Sequence, residues 1–252
     1  MVSKNQIKLI TSLQQKKYRN QEQLFIAEGI KVVQELLNSN FELQDLFTTK
    51  KDFLTVSKNK VHAISEVELK KISALTTPNT CLAVFKIPKA KEIAEKGLIV
   101  ALDDVRDPGN LGTIIRLCDW FGIETLFCSE ESVDVYNPKV VQATMGSISR
   151  VNVVYGNLEV FLSQTKLPVF GTFMDGKNLY KETLPKEAIL ILGNEANGIS
   201  ASLEKGIKNR IAIPRFPSAV GDASSDDMQK TESLNVATAT AIFLSEFRRH
   251  EL

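Results

Sequence analysis

Residues 97–110 read Gly97-Leu98-Ile99-Val100-Ala101-Leu102-Asp103-Asp104-Val105-Arg106-Asp107-Pro108-Gly109-Asn110. Leu98 to Leu102 form an unbroken apolar run that stops at a pair of acids. A run without alternation predicts a strand covered on both faces, as in a parallel sheet. Asp107-Pro108-Gly109-Asn110 predicts a turn. LGTIIRLCDWFG (111–122) then has apolar residues at helical spacing.

Downstream the pattern repeats. TLFCS (125–129), RVNVV (150–154), PVFGTF (168–173), AILILG (188–193) and RIAIP (210–214) predict strands. PKVVQATMGS (138–147) and LEVFLSQT (158–165) predict helices between them, and SLNVATATAIFLSEFRR (233–249) a long last helix. Six strands with intervening helices describe an open α/β fold of Rossmann-like style. Arg215 to Thr231 has no periodicity and is rich in Ser, Asp and Gly. A loop of that length is usually functional or disordered.

Upstream, Ile7, Ile10 and Leu13 predict an N-terminal helix. LFIAEG (24–29) predicts a strand entering the helix IKVVQELLNS (30–39). DLFTT (45–49), KVHAI (60–64) and TCLAVFKI (80–87) predict further strands. Ser65 with Glu68 three residues later has capping-box spacing and should open a helix over 66–75. This is a small α/β domain, 1–87. PKAKEIAEKG, polar and rich in Lys and Glu, is the linker (88–97), and 98–252 is a second domain.

Charge divides along the same line. Lys and Arg total 31 against 30 acids, yet residues 1–96 hold 16 basic and 10 acidic side chains and residues 97–252 hold 15 and 20. Lys4, Lys8, Lys16, Lys17 and Arg19 occur in the first 21 residues without an acid. That balance suits a polyanion partner, and equally a solvated helix face. No stretch approaches the roughly 18 apolar residues of a membrane span. The N-terminus lacks the apolar core of an export signal, which suggests a cytoplasmic protein. Cys81, Cys118 and Cys128 are too scattered for a disulfide framework or CxxC site, and His62 and His250 lie far apart, so no metal centre is expected.

Three segments end strands where open α/β sheets place ligands. The first runs from Leu102 to Arg116 and the second is Ile191-Leu192-Gly193-Asn194-Glu195-Ala196-Asn197-Gly198. The third is Ile211-Ala212-Ile213-Pro214, resumed by Glu232-Ser233-Leu234-Asn235-Val236-Ala237. Singly their residues have ordinary explanations. Asn110 and Asn235 suit helix starts, Gly193 and Gly198 suit turns, and Glu195 suits a loop. Arg116, amid Ile114, Ile115 and Leu117, either reaches the surface or meets an anion.

Together and in this order, they resemble the three motifs of the SpoU (TrmH) family of SPOUT-class RNA methyltransferases, over residues 98–249. The patterns are N-x-G-x-x-x-R, L-G-N-E-x-x-G and I-P…S-L-N-V, and NPKVVQATMGS resembles the family's intermediate segment. FIAEGIKVVQELL and TTPNTCLAVF in the front half are similar to the L30e-like substrate-binding domain often attached in this family. The resemblance implies a C-terminal deep trefoil knot, a homodimer, S-adenosylmethionine as cofactor, and methylation of a ribose 2′-OH. It maps catalytic roles onto Asn110, Arg116, Glu195 and Asn235, and cofactor contacts, largely backbone, onto Gly193, Ile213 and Leu234. Ribosomal RNA is favoured over tRNA by analogy, with Lys4, Lys8, Lys16, Lys17, Arg19 and Arg116 as RNA contacts.

The sequence departs from the family in the long 215–231 loop, with Asp222, Asp226 and Asp227, either a lid or a surface insertion. TTPNT also lacks a glycine common at that turn. The competing functions are a non-catalytic RNA-binding assembly factor and a dinucleotide enzyme. The second is disfavoured because no G-x-G-x-x-G follows the first strand of the second domain.

Overall fold

The computed structural model describes residues 1–50, 56–89, 91–215 and 233–249. The chain opens with α1 (Lys4–Ser12) and α2 (Lys16–Glu22), followed by β1 (Leu24–Glu28), α3 (Ile30–Leu37), β2 (Leu43–Thr48), β3 (Val61–Ala63), α4 (Glu66–Ile72) and β4 (Cys81–Lys86). Their sheet has the order β1-β4-β2-β3. β1–β4 and β4–β2 are antiparallel and β2–β3 is parallel. Ile10 and Leu13 of the predicted N-terminal helix meet Leu24, Ile26, Phe47, Leu69 and Leu82 in one core. The second helix, α2, has a separate start because Gln15 takes an extended conformation.

Ser65 and Glu68 form the predicted capping box. Its helix stops at Ile72, short of Leu75. The cause is Glu28, buried at the end of β1, which accepts hydrogen bonds from the Ser73 hydroxyl and, at 2.7 Å, from the Ala74 N–H. Burial pushes the Glu28 carboxyl above its ordinary pKa, against these two bonds.

The rest of the chain runs β5 (Leu98–Leu102), α5 (Pro108–Trp120), β6 (Thr125–Ser129), α6 (Pro138–Thr144), β7 (Asn152–Gly156), α7 (Leu158–Gln164), β8 (Val169–Asn178), β9 (Ala188–Leu192), α8 (Ala201–Glu204), β10 (Asn209–Ala212) and α9 (Val236–Arg248). The six strands have the order β10-β8-β9-β5-β6-β7. β10–β8, β8–β9, β9–β5 and β5–β6 are parallel. Every residue of β5 and β9 is buried, as their unbroken apolar runs require.

Two helix starts differ from expectation. Pro108 is already helical, so the tetrapeptide 107–110 is the helix start and not a separate turn. Asp107 Oδ1 accepts the Asn110 N–H at 2.8 Å, which places Asn110 in the first turn. The last helix starts at Val236 and not at Ser233, because Asn235 takes the capping role, accepting from the Ala237 and Thr238 N–H groups.

Residues Met1–Glu92, Asp107–Asp119 and Val133–Val153 group into one compact unit, and Ile93–Arg106, Trp120–Ser132 and Val154–Leu252 into another. The first unit thus takes in segments beyond the 88–97 linker. Specific contacts hold them there. Tyr136 lies 4.8 Å from the Phe25 ring, and Arg150 pairs with Glu35 at 2.8 Å and Asp119 at 2.9 Å. At Gly146, φ is +99° and a Cβ would meet the Glu35 Cβ at 2.5 Å, so only glycine fits. Among the described residues no helix is long and apolar enough to cross a membrane, and no three His, Cys, Asp or Glu side chains gather as a metal site.

Candidate cofactor and catalytic site

β9 ends at Leu192, and the next six residues turn the chain on itself. Asn194 and Gly198 exchange backbone hydrogen bonds of 3.0 and 2.8 Å. Asn194 Oδ1 accepts the N–H groups of Ala196 (2.9 Å) and Asn197 (3.2 Å), an Asx turn. Its Nδ2 donates to the Asp104 carbonyl at 2.8 Å. Asp103 completes the clamp: its N–H donates to the Leu192 carbonyl (2.9 Å) and its carboxylate accepts the Ser200 N–H (2.7 Å). The acids that end β5 therefore hold the loop that carries Glu195. Gly198 has φ +67°, a left-handed conformation.

This loop walls a cavity of about 580 Å³, within the range of a small-molecule site. Gly193, Glu195, Ile213 and Leu234 all line it. Phe173, Met174 and Phe243 add apolar surface, and Glu204 a second carboxylate. Backbone groups at a glycine turn, apolar walls and two acids fit S-adenosylmethionine, which combines an adenine, ribose hydroxyls and a cationic sulfonium. Asn235 lies between lining residues Leu234 and Val236, fixed by its cap.

Residues 97–245 match the SpoU rRNA Methylase family. The chain belongs to that family. Residues 4–83 match the MRM3-like substrate binding domain. The chain is 29% identical over 256 residues to the Bacillus subtilis 23S rRNA (guanosine(2553)-2′-O)-methyltransferase RlmP, covering 98% of this chain and 97% of the relative. A solved structure from Porphyromonas gingivalis assigned to the TrmH family of RNA methyltransferases is 40% identical, with a TM-score of 0.85 and 99% of each chain covered. An AdoMet-bound rRNA methyltransferase from Sinorhizobium meliloti is 29% identical, with a TM-score of 0.85, covering 100% of this chain and 98% of that one.

In this SpoU-family chain Asn110 and Arg116 lie on α5, outside the set of residues that lines the cavity. The helix buries Leu111, Ile114, Ile115 and Cys118 and leaves Thr113, Arg116 and Trp120 exposed, Trp120 at 85%. Of the two fates open to Arg116, it reaches the surface, and no described carboxylate pairs with it. The glycine of N-x-G-x-x-x-R is needed for close packing. A Cβ on Gly112 would lie 2.4 Å from that of Ala143 on α6.

Lys4, Lys8, Lys16 and Lys17 are exposed. Arg19, expected as an RNA contact, is buried instead. It is 2% exposed, donates to Asp134 Oδ2 from Nε at 2.9 Å and Nη2 at 2.5 Å, and from Nη1 to the Leu13 carbonyl at 2.9 Å. A guanidinium so buried is not presented to a phosphate outside the protein. Asn194 and Asp103 hold the Glu195 loop although the sequence marks neither as a site residue. Asn directly after Gly193 was the available sign for the first. The Ser200 partner of the Asp103 carboxylate is 97 residues away and left none. Asp222, Asp226 and Asp227 of the long loop lie outside the described residues.

Proposed function

We propose that this SpoU-family chain is an S-adenosylmethionine-dependent methyltransferase acting on a ribose 2′-OH of ribosomal RNA. The observation that carries it is the convergence of Gly193, Glu195, Ile213 and Leu234, from two separate motifs, on one cavity at the end of the parallel sheet. Residues 1–87 serve as the L30e-like RNA-binding domain, 88–97 as linker and 98–252 as the catalytic domain. The working form is a cytoplasmic homodimer with a C-terminal trefoil knot.

When bound, S-adenosylmethionine supplies a methyl group already activated on a sulfonium. The remaining tasks fall to the protein: to hold the 2′-oxygen in line, about 3 Å from that carbon, and to stabilise charge as the hydroxyl proton leaves. Arg116, exposed on α5, anchors an RNA phosphate and stabilises the developing alkoxide. A guanidinium, which stays protonated in proteins, is a poor base. Glu195 orients that arginine or accepts the proton, with water or a phosphate oxygen as the other acceptors. Asn110 and Asn235 position the nucleotide. The exposed lysines of α1 and α2 add salt-sensitive phosphate contacts, and the 2′-OH target separates RNA from DNA.

The test is label transfer from radiolabelled S-adenosylmethionine to ribosomal RNA, ribosomal subunits and tRNA. Label should enter ribosomal RNA, vanish with Arg116→Ala, and vanish when the target ribose lacks its 2′-OH. Arg116→Lys should remain impaired because it loses the planar fork. Label persisting on 2′-deoxy RNA would refute ribose chemistry. Label in tRNA alone would refute the substrate, and cofactor binding with no label anywhere would favour an assembly factor.

A further inference from the structure

β10 and β8 keep register as far as Arg210, which faces Gly171, but the next residue, Ile211, faces Lys177. Between those rungs β8 carries Thr172 to Gly176 unmatched by β10, a large bulge. Gly176 allows the return, since a Cβ there would lie 2.5 Å from the Ile211 carbonyl carbon. Thr172, Phe173 and Met174 from this excursion line the cavity. One wall of the site is therefore a strand segment held by something other than its β10 register.

Arg210 is the fastening. Its guanidinium carbon lies 3.7 Å from the centroid of the Phe173 ring. Nη2 donates to Asp175 Oδ1 at 2.5 Å, and Nη1 to Glu204 Oε1 at 2.7 Å. Glu204 ends α8 and also lines the cavity. A single planar group thus grips the excursion at two points and joins it to the acid on the neighbouring helix. The bond from Arg210 holds the Asp175 carboxyl below its ordinary pKa, and the bonds to Asp175 and Glu204 together raise that of Arg210.

We infer that Arg210 is a positioning residue for the cofactor, setting the Phe173–Met174 wall and the Glu204 carboxylate where S-adenosylmethionine binds. The inference rests on the cofactor reading above. Lysine cannot replace this group, because a point charge does not stack on the ring while pairing two acids. Nor does removing it strand a buried charge: its side chain is 30% exposed, and those of Asp175 and Glu204 are 75% and 43% exposed.

Calorimetric titration with S-adenosylmethionine tests this on the full chain, comparing wild type with Arg210→Ala, Arg210→Lys and Phe173→Leu. Thermal midpoints of the unliganded proteins and KM for each substrate are measured alongside. Arg210→Ala should weaken cofactor binding about tenfold, near the upper range of a stacked cation lost from a ring, and raise KM for the cofactor alike. KM for RNA should stay near wild type, and the unliganded midpoint should fall by no more than about 5 °C. Arg210→Lys should recover little, and Arg210→Ala should cost less in the Phe173→Leu background. Cofactor affinity of Arg210→Ala within about twofold of wild type, full rescue by lysine, or both KM values and the midpoint moving together would each overturn the inference. Failure of the wild type itself to bind S-adenosylmethionine would overturn the cofactor reading first, and this inference with it.

Discussion

Replacing Gly193 by alanine should destroy the cavity through a clash that no rotamer relieves. The added Cβ would sit 2.1 Å from the Gly198 carbonyl carbon, 2.3 Å from its oxygen and 2.3 Å from the Ile199 nitrogen. All three are backbone atoms, and carbon contacts require about 3.5 Å, so the two arms of the turn must part by more than 1 Å. That separation removes the paired Asn194–Gly198 hydrogen bonds, each worth about 1 kcal/mol net. Overpacking adds about 1–3 kcal/mol. A total near 3–5 kcal/mol corresponds to a thermal midpoint lowered by roughly 6–20 °C at about 2–4 °C per kcal/mol. Gly198→Ala is the control. Its φ of +67° carries strain, but nothing lies within 4 Å of its Cβ, so about 1–2 kcal/mol is expected. Scanning fluorimetry and calorimetric titration with S-adenosylmethionine should separate the pair, with cofactor binding lost in Gly193→Ala and largely kept in Gly198→Ala. If Gly193→Ala matched Gly198→Ala in midpoint and affinity, the steric reasoning would be wrong.

Three further outcomes follow from individual contacts. The Ser65 and Val2 N–H groups, both at 2.9 Å, hold the Glu68 carboxyl at about 2, well below its ordinary 4.5. A depressed folded value means stability present above about pH 4.5 and lost as pH falls toward 2. Glu68→Gln should flatten that part of a midpoint-against-pH curve, and parallel curves would contradict it. Asp134→Ala leaves the Arg19 guanidinium buried without its ion pair and should cost about 3–5 kcal/mol in urea unfolding; a loss below about 1 kcal/mol would mean that the site rehydrates. Changing Lys4, Lys8, Lys16 and Lys17 together to Gln should reduce the salt dependence of RNA binding by up to about 3 in the log–log slope, at roughly 0.7 per phosphate. An unchanged slope in filter binding would remove these helices from the RNA contact set.

Much of the fold was legible because its signals are local. Leu98–Leu102 and Ala188–Leu192 had to be strands covered on both faces, since five apolar side chains in a row leave no face for water. The Ser65–Glu68 box is closed within one helical turn and was visible as a spacing. Gly193, Glu195, Ile213 and Leu234 were legible as a set only by their order and flanks, and the cavity brings them to one place. The misreadings came where distant groups decide. α4 ends early because Glu28, 45 residues before Ser73, captures the Ser73 hydroxyl and the Ala74 N–H just beyond it. Arg19 looked like its solvated lysine neighbours, but Asp134, 115 residues away, draws it inside.

By itself, the sequence determined the α/β class, most strands and helices, the basic front half, and the motifs that mark a SpoU-family methyltransferase. These rest on side-chain periodicity, capping chemistry and residue order, all of which act over a few positions along the chain. The tertiary structure alone decided that Asp103 and Asn194 clamp the Glu195 loop, that Arg210 fastens a bulge of β8 to α8, and which basic residues face water. Each of these depends on burial and on partners contributed by another element. A guanidinium has the same chemistry at every position, and only its surroundings decide whether it binds a carboxylate inside the protein or a phosphate outside it.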